Sequence, residues 1–124
     1  MGIGLDLVDL DRFRLLYGDD LELMGRCFAQ SELDAAGTGP DRLTRLAARF
    51  AAKEAAYKAL GGASGIAHTD IIVSNSSSGA PTLLLKGTAR EAADSKGVGM
   101  LLLSLTHSDA SAAAVVVALS AGPK

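Results

Sequence analysis

The segment from Arg42 to Leu60 constrains the fold more than any other. Leu43, Leu46, Ala47, Phe50, Ala51, Glu54, Tyr57 and Lys58 recur there at spacings of three and four. That period puts them on one broad face of an α-helix. Gly61-Gly62 follows and ends the helix as a C-terminal cap does. Ile3 to Val8 is β-prone and apolar, interrupted only by Asp6. Asp70 to Ser74 and Ala80 to Leu85 read as a hairpin across the turn-rich Asn75 to Gly79. Met100 to Leu105 and Ala112 to Leu119 are two further strands, joined by Thr106-His107-Ser108-Asp109. Short helices are predicted over Asp9 to Leu16, from Ser31 as cap with Asp34 three residues on, and over Thr88 to Lys96. Gly37-Thr38-Gly39-Pro40 is a loop, and the chain has no internal repeat or long linker. The order predicts an α+β fold, a mainly antiparallel sheet packed around one long central helix, in a single domain over residues 1–124.

Composition narrows the function classes. Hydrophobic residues make up 48% of the chain, too many for a disordered one. With three Phe, two Tyr and no Trp, the core has to be built from Leu, Val, Ile and Ala. A net charge of −2 gives no global reason to expect a nucleic-acid partner. No apolar stretch is long enough to span a membrane, and Met1-Gly2-Ile3-Gly4-Leu5-Asp6 lacks the pattern of a signal peptide. The single Cys27 cannot form an internal disulfide, which suits a reducing cytoplasm, and reads as a small core residue.

Three places depart from the bland pattern. Asp6 interrupts an apolar strand, and a buried carboxylate is costly unless it is paired or binds a metal. A half-exposed strand with Asp6 facing water fits its position equally well. Glu54 lies on the apolar face of the long helix, one turn before Lys58. An isolated Glu–Lys pair at this spacing more often only stabilises a helix, by roughly 0.2–0.5 kcal/mol. Arg49 and Lys53, however, add two more cations around that one glutamate, and such a cluster suits phosphate groups. Two carboxylates at Asp6 and Glu54 would suit Mg2+, which takes one or two carboxylates plus substrate phosphate oxygens. The third place is Ser104-Leu105-Thr106-His107-Ser108, three hydroxyls and an imidazole at a strand end, where ligand groups often sit and where an ordinary turn also would. No serine sits in a Gly-x-Ser-x-Gly elbow, and the glycines form neither a P-loop nor a dinucleotide fingerprint.

Three blocks, Gly4-Leu5-Asp6-Leu7-Val8-Asp9, Arg49-Phe50-Ala51-Ala52-Lys53-Glu54-Ala55-Ala56-Tyr57-Lys58-Ala59-Leu60-Gly61 and Ser104-Leu105-Thr106-His107, resemble the signatures of the short phosphopantetheinyl transferases, the holo-acyl-carrier-protein synthases. They stand in that family's order and at similar separations, and the resemblance covers essentially the whole chain. It implies roles. Asp6 and Glu54 match the two metal-binding acids, with Mg2+ as the cofactor. Arg49, Lys53 and Lys58 match basic positions facing coenzyme A, with Lys58 nearest the pyrophosphate and counted with the acids as catalytic. Ser104, Thr106 and His107 match the loop at the nucleotide end. Arg12 matches an arginine that docks the acidic acyl carrier protein. Where this chain has Ala80, the family often carries a lysine that faces the nucleotide's 3′-phosphate.

The resemblance also implies a homotrimer with each site between two subunits. The strand Ala112 to Leu119 gives a reason to expect it, being apolar at every position, so that both of its faces need covering. One long helix covers one face, and a neighbouring subunit would cover the other. The rival function of another class is a non-catalytic module that binds coenzyme A or a carrier protein. Two acids in metal-binding roles argue against it, because a pure binder needs no metal.

Overall fold

The computed structural model describes residues 1–62 and 64–122. The chain opens with strand β1 (Gly2–Asp9), followed by helices α1 (Leu10–Tyr17), α2 (Leu21–Cys27), α3 (Gln30–Ala36) and the long α4 (Arg42–Ala59). A one-turn 3-10 helix, His68–Asp70, leads into the hairpin β2 (Ile71–Asn75) and β3 (Pro81–Leu85). Helix α5 (Gly87–Ser95) and strands β4 (Val98–His107) and β5 (Ser111–Ser120) complete it. The sheets are antiparallel throughout, one ordered β1-β5-β4 and one made of β2-β3.

Helix α4 lies at the centre, as its periodicity predicts. Its Ala51, Ala52, Ala55, Ala56 and Ala59 are buried in one core with Val73, Ala114, Val116 and Ala118. Toward its N-terminal end Leu46 and Ala47 join Leu10, Phe13, Met24, Cys27 and Phe28 in a second core. Small residues replace aromatic bulk here, and they let backbones approach closely. A Cβ on Gly2 would stand 2.1 Å from the Ala59 carbonyl oxygen, and one on Gly4 only 1.8 Å from that of Ala55. Strand β1 therefore rests directly on the backbone of α4 because both positions lack a side chain.

Side chains on β1 alternate. Gly4 is buried and Asp6 and Val8 half-buried on the helix side, while Ile3, Leu5 and Leu7 are 69%, 66% and 69% exposed on the other. The same alternation runs along β5, where Ala112, Ala114, Val116 and Ala118 are buried and Ala113, Val115, Val117 and Leu119 only partly covered. Within one chain, then, the outer face of this sheet stays apolar and open.

The local structure corrects three sequence expectations. Helix α2 was not anticipated. It is short and contains Gly25, yet Asp20 caps it by accepting from the Leu23 amide at 2.9 Å, and Glu22 pairs with Arg26 at 2.7 Å. Helix α3 starts after Ala29 rather than at Ser31, because Glu32 reaches back to accept from the Ala29 amide at 2.9 Å. Thr106 and His107 belong to β4, and the turn that follows is closed by Ser108, whose amide donates to the Ser111 carbonyl at 2.8 Å.

Candidate active site

Asp6 comes from β1 and Glu54 from the C-terminal half of α4, and the close seating of that strand on that helix brings them to one cavity of about 230 Å³. Arg12, Phe13, Leu16 and Tyr17 of α1 and Phe50 of α4 line the rest of it. Lys58, one turn beyond Glu54, places its ammonium 3.2 Å from Asp6 Oδ1 and donates to the Leu5 carbonyl at 2.9 Å. Burial raises the Asp6 pKa; Lys58 opposes that rise and the nearby Glu54 charge adds to it. Glu54 is shifted down, chiefly by a hydrogen bond from His68, against the opposing effect of burial. His68 Nε2 lies 2.9 Å from Glu54 Oε1. Two carboxylates that repel each other beside one lysine form a donor set that a hard divalent cation would satisfy.

The other basic positions do not converge on Glu54. At 3.6 residues per turn, Arg49 is about 140° round the helix from Glu54. It lines a separate cleft of about 390 Å³ with Thr44, Arg45, Val73, Asn75, Leu105, Thr106 and His107. Burial lowers the Arg49 pKa. Among the described residues its buried Nε has no hydrogen-bond partner. Thr106 and His107 thus join Arg49, while Ser104 is exposed between Leu103 and Leu105 and does not line the cleft. Arg45 was not singled out from the sequence, although its spacing of one turn before Arg49 was a signal for it.

Lys53 is a correction. The resemblance implies that it faces coenzyme A, but its side chain is fully buried, with its ammonium 2.6 Å from Glu32 Oε1. It also donates to the carbonyl of His68 at 2.9 Å and to that of Ile71. Glu32 is equally buried and accepts from the Val73 amide at 2.9 Å. A lysine enclosed by a carboxylate and two carbonyls has no route to a ligand, and its work is to tie α3, α4 and β2 together.

Residues 2–115 match the family model described as the 4′-phosphopantetheinyl transferase superfamily. A holo-[acyl-carrier-protein] synthase of Anaeromyxobacter dehalogenans is 43% identical over 127 residues, covering 99% of this chain and 98% of the relative. One from Streptomyces coelicolor is 40% identical over 118 residues, 95% of this chain and 96% of its own. Among solved structures, the Helicobacter pylori holo-[acyl-carrier-protein] synthase in complex with coenzyme A superposes with a TM-score of 0.81 at 30% identity, over 94% of this chain and 99% of that one. Matched along nearly its whole length by sequence and by fold, the chain belongs to the 4′-phosphopantetheinyl transferase superfamily, among the holo-[acyl-carrier-protein] synthases.

Proposed function

We propose that this chain transfers the 4′-phosphopantetheine arm of coenzyme A to a serine of an apo-acyl carrier protein, that it needs Mg2+, and that its sites form between subunits of a homotrimer. The observation that carries the transfer is the meeting of Asp6, Glu54 and Lys58, from β1 and α4, at one cavity edge. The Helicobacter pylori relative with coenzyme A bound supports the donor.

In this reading the carrier's serine hydroxyl attacks the β-phosphorus of coenzyme A. The bond to the bridging oxygen breaks, and adenosine 3′,5′-bisphosphate leaves. Asp6 and Glu54 would hold the metal. With two protein carboxylates, such a cation would draw its remaining ligands from phosphate and water. Bound there, Mg2+ would supply charge stabilisation to the pyrophosphate oxygens. Lys58 adds positive charge where the leaving group gains negative charge. Glu54, kept ionised by His68, would accept the serine proton, directly or through a water. Arg12, exposed on the rim of the same cavity, attracts the acidic carrier.

The separation of the two clusters supports a shared site. Arg49, Thr106 and His107 suit the nucleotide end, yet they line a different cleft from the two acids. A neighbouring copy that covers the open sheet face would bring its cleft against the acids of this one. Met100 and Leu102, 56% and 50% exposed, extend the apolar face of Ile3, Leu5 and Leu7. An exposed surface of this kind marks an interface. A free, buried Cys27 and no helix among the described residues long and apolar enough to cross a membrane agree with a cytoplasmic setting. Mass spectrometry of an apo-carrier protein incubated with the chain, coenzyme A and Mg2+ tests the proposal. The carrier should gain the mass of the phosphopantetheine arm, and EDTA should prevent it. An unmodified carrier, or gain that survives EDTA, contradicts the reading.

A further inference from the structure

His68 belongs to no motif that identifies the family, yet it touches the acid on which the proposed site depends. Its Nε2 stands 2.9 Å from Glu54 Oε1. An ionised carboxylate can only accept, so Nε2 carries the hydrogen of this bond. The imidazole is held on two further sides. Its ring stacks on Phe50, with centroids 6.0 Å apart and planes 12° from parallel. Its own carbonyl accepts from the Lys53 ammonium at 2.9 Å, and Lys53 is locked to Glu32 in the core. A flexible surface His–Glu pair has no such anchors. Here the buried ion pair fixes the backbone, the stack fixes the ring plane, and the ring fixes the carboxylate.

We infer that His68 is a positioning residue for Glu54, aiming one carboxylate oxygen so that the other meets the cation, and that the buried Lys53–Glu32 pair is the anchor from which it works. The inference rests on the metal reading of Asp6 and Glu54. Carboxylate ligands are commonly oriented by hydrogen bonds from behind, and loss of such a partner typically costs about 10–100-fold in metal affinity or activity. Glu54 Oε1 is engaged by the 3-10 turn that carries His68, which leaves the other oxygen for the cation.

The test is His68→Phe, which keeps a ring against Phe50 and removes the donor. Mn2+ serves as the probe, titrated by calorimetry and followed by its paramagnetic resonance spectrum in the presence of coenzyme A. Affinity should fall about 10–100-fold while the melting temperature stays near that of the unaltered chain. His68→Gln, which returns an N–H donor, should recover most of the affinity. If the Phe variant does not fold, His68→Asn, too short to reach Glu54, takes its place with the same expectation. Tight Mn2+ binding by the unaltered chain with unchanged affinity in the variant overturns this inference alone. An unaltered chain that takes up no Mn2+ overturns the metal reading and this inference with it.

Discussion

Lys53 and Lys58 lie five positions apart on one helix and have opposite surroundings. Lys58 is half-exposed beside Asp6, while Lys53 is sealed in the core against Glu32. Lys58→Ala should therefore lower kcat strongly with little change in stability, because an exposed ion pair contributes only about 0–1 kcal/mol. Arg12→Ala should instead raise KM for the carrier, by an amount that fades with added salt. Steady-state kinetics at two ionic strengths separate the two. Lys53→Met should cost about 3–5 kcal/mol by leaving Glu32 charged and unpaired in the core, read from denaturant melts. Asp6→Ala should abolish Mg2+-dependent transfer, a fall beyond about 100-fold, with the circular dichroism spectrum unchanged. Glu54 adds a pH prediction. Its pKa is lowered in the folded chain, so its ionised form contributes stability above the ordinary glutamate pKa of about 4.3 and loses it as pH falls through the lowered value. Thermal melts should thus show the unaltered chain losing stability more steeply than Glu54→Gln below about pH 4. The gathering of Asp6, Glu54 and Lys58 was legible as residue types in order. What spacing could not show was direction. Three cations within a few turns look like one cluster on paper, but the helix turns Arg49 to another cleft and Lys53 inward. His68 carried no legible signal, because its role exists only through a contact with Glu54 across the fold.

Helix α4 was legible from end to end because its pattern is long and its glycine stop is unambiguous. The five strands followed from apolar runs bounded by turns. Helix α2 and the 3-10 turn His68–Asp70 were not, since elements this short are fixed by caps and tertiary contacts rather than by period. Between elements, the critical joint is β1 on α4. Gly4→Ala would put a Cβ within 1.8 Å of the Ala55 carbonyl oxygen, so the strand has to lift from the helix. The change should destabilise the chain by at least about 1–3 kcal/mol and lower transfer further by moving Asp6 away from Glu54. Denaturant melts and the carrier-modification assay on the same variant check both outcomes.

At the scale of the molecule, the proposed trimer would bury the open face of the β1-β5-β4 sheet. Leu5→Asp places a charge in the middle of Ile3, Leu5, Leu7, Met100 and Leu102. Light scattering at micromolar concentration should give a trimer mass for the unaltered chain and a monomer mass for Leu5→Asp, with transfer lost in the monomer. A monomeric unaltered chain that still transfers would defeat the shared site. The alternation along β1 has one more consequence. Side chains on a strand switch faces every residue, so a slip of β1 by one place against β5 would turn Asp6 outward and Leu5 inward. The slipped chain would lose an acid from its cavity and gain a carboxylate on its adhesive face in the same stroke. Association would then act as a proofreader of folding: chains registered in error are refused by their neighbours and left as single molecules, and what assembles is already competent.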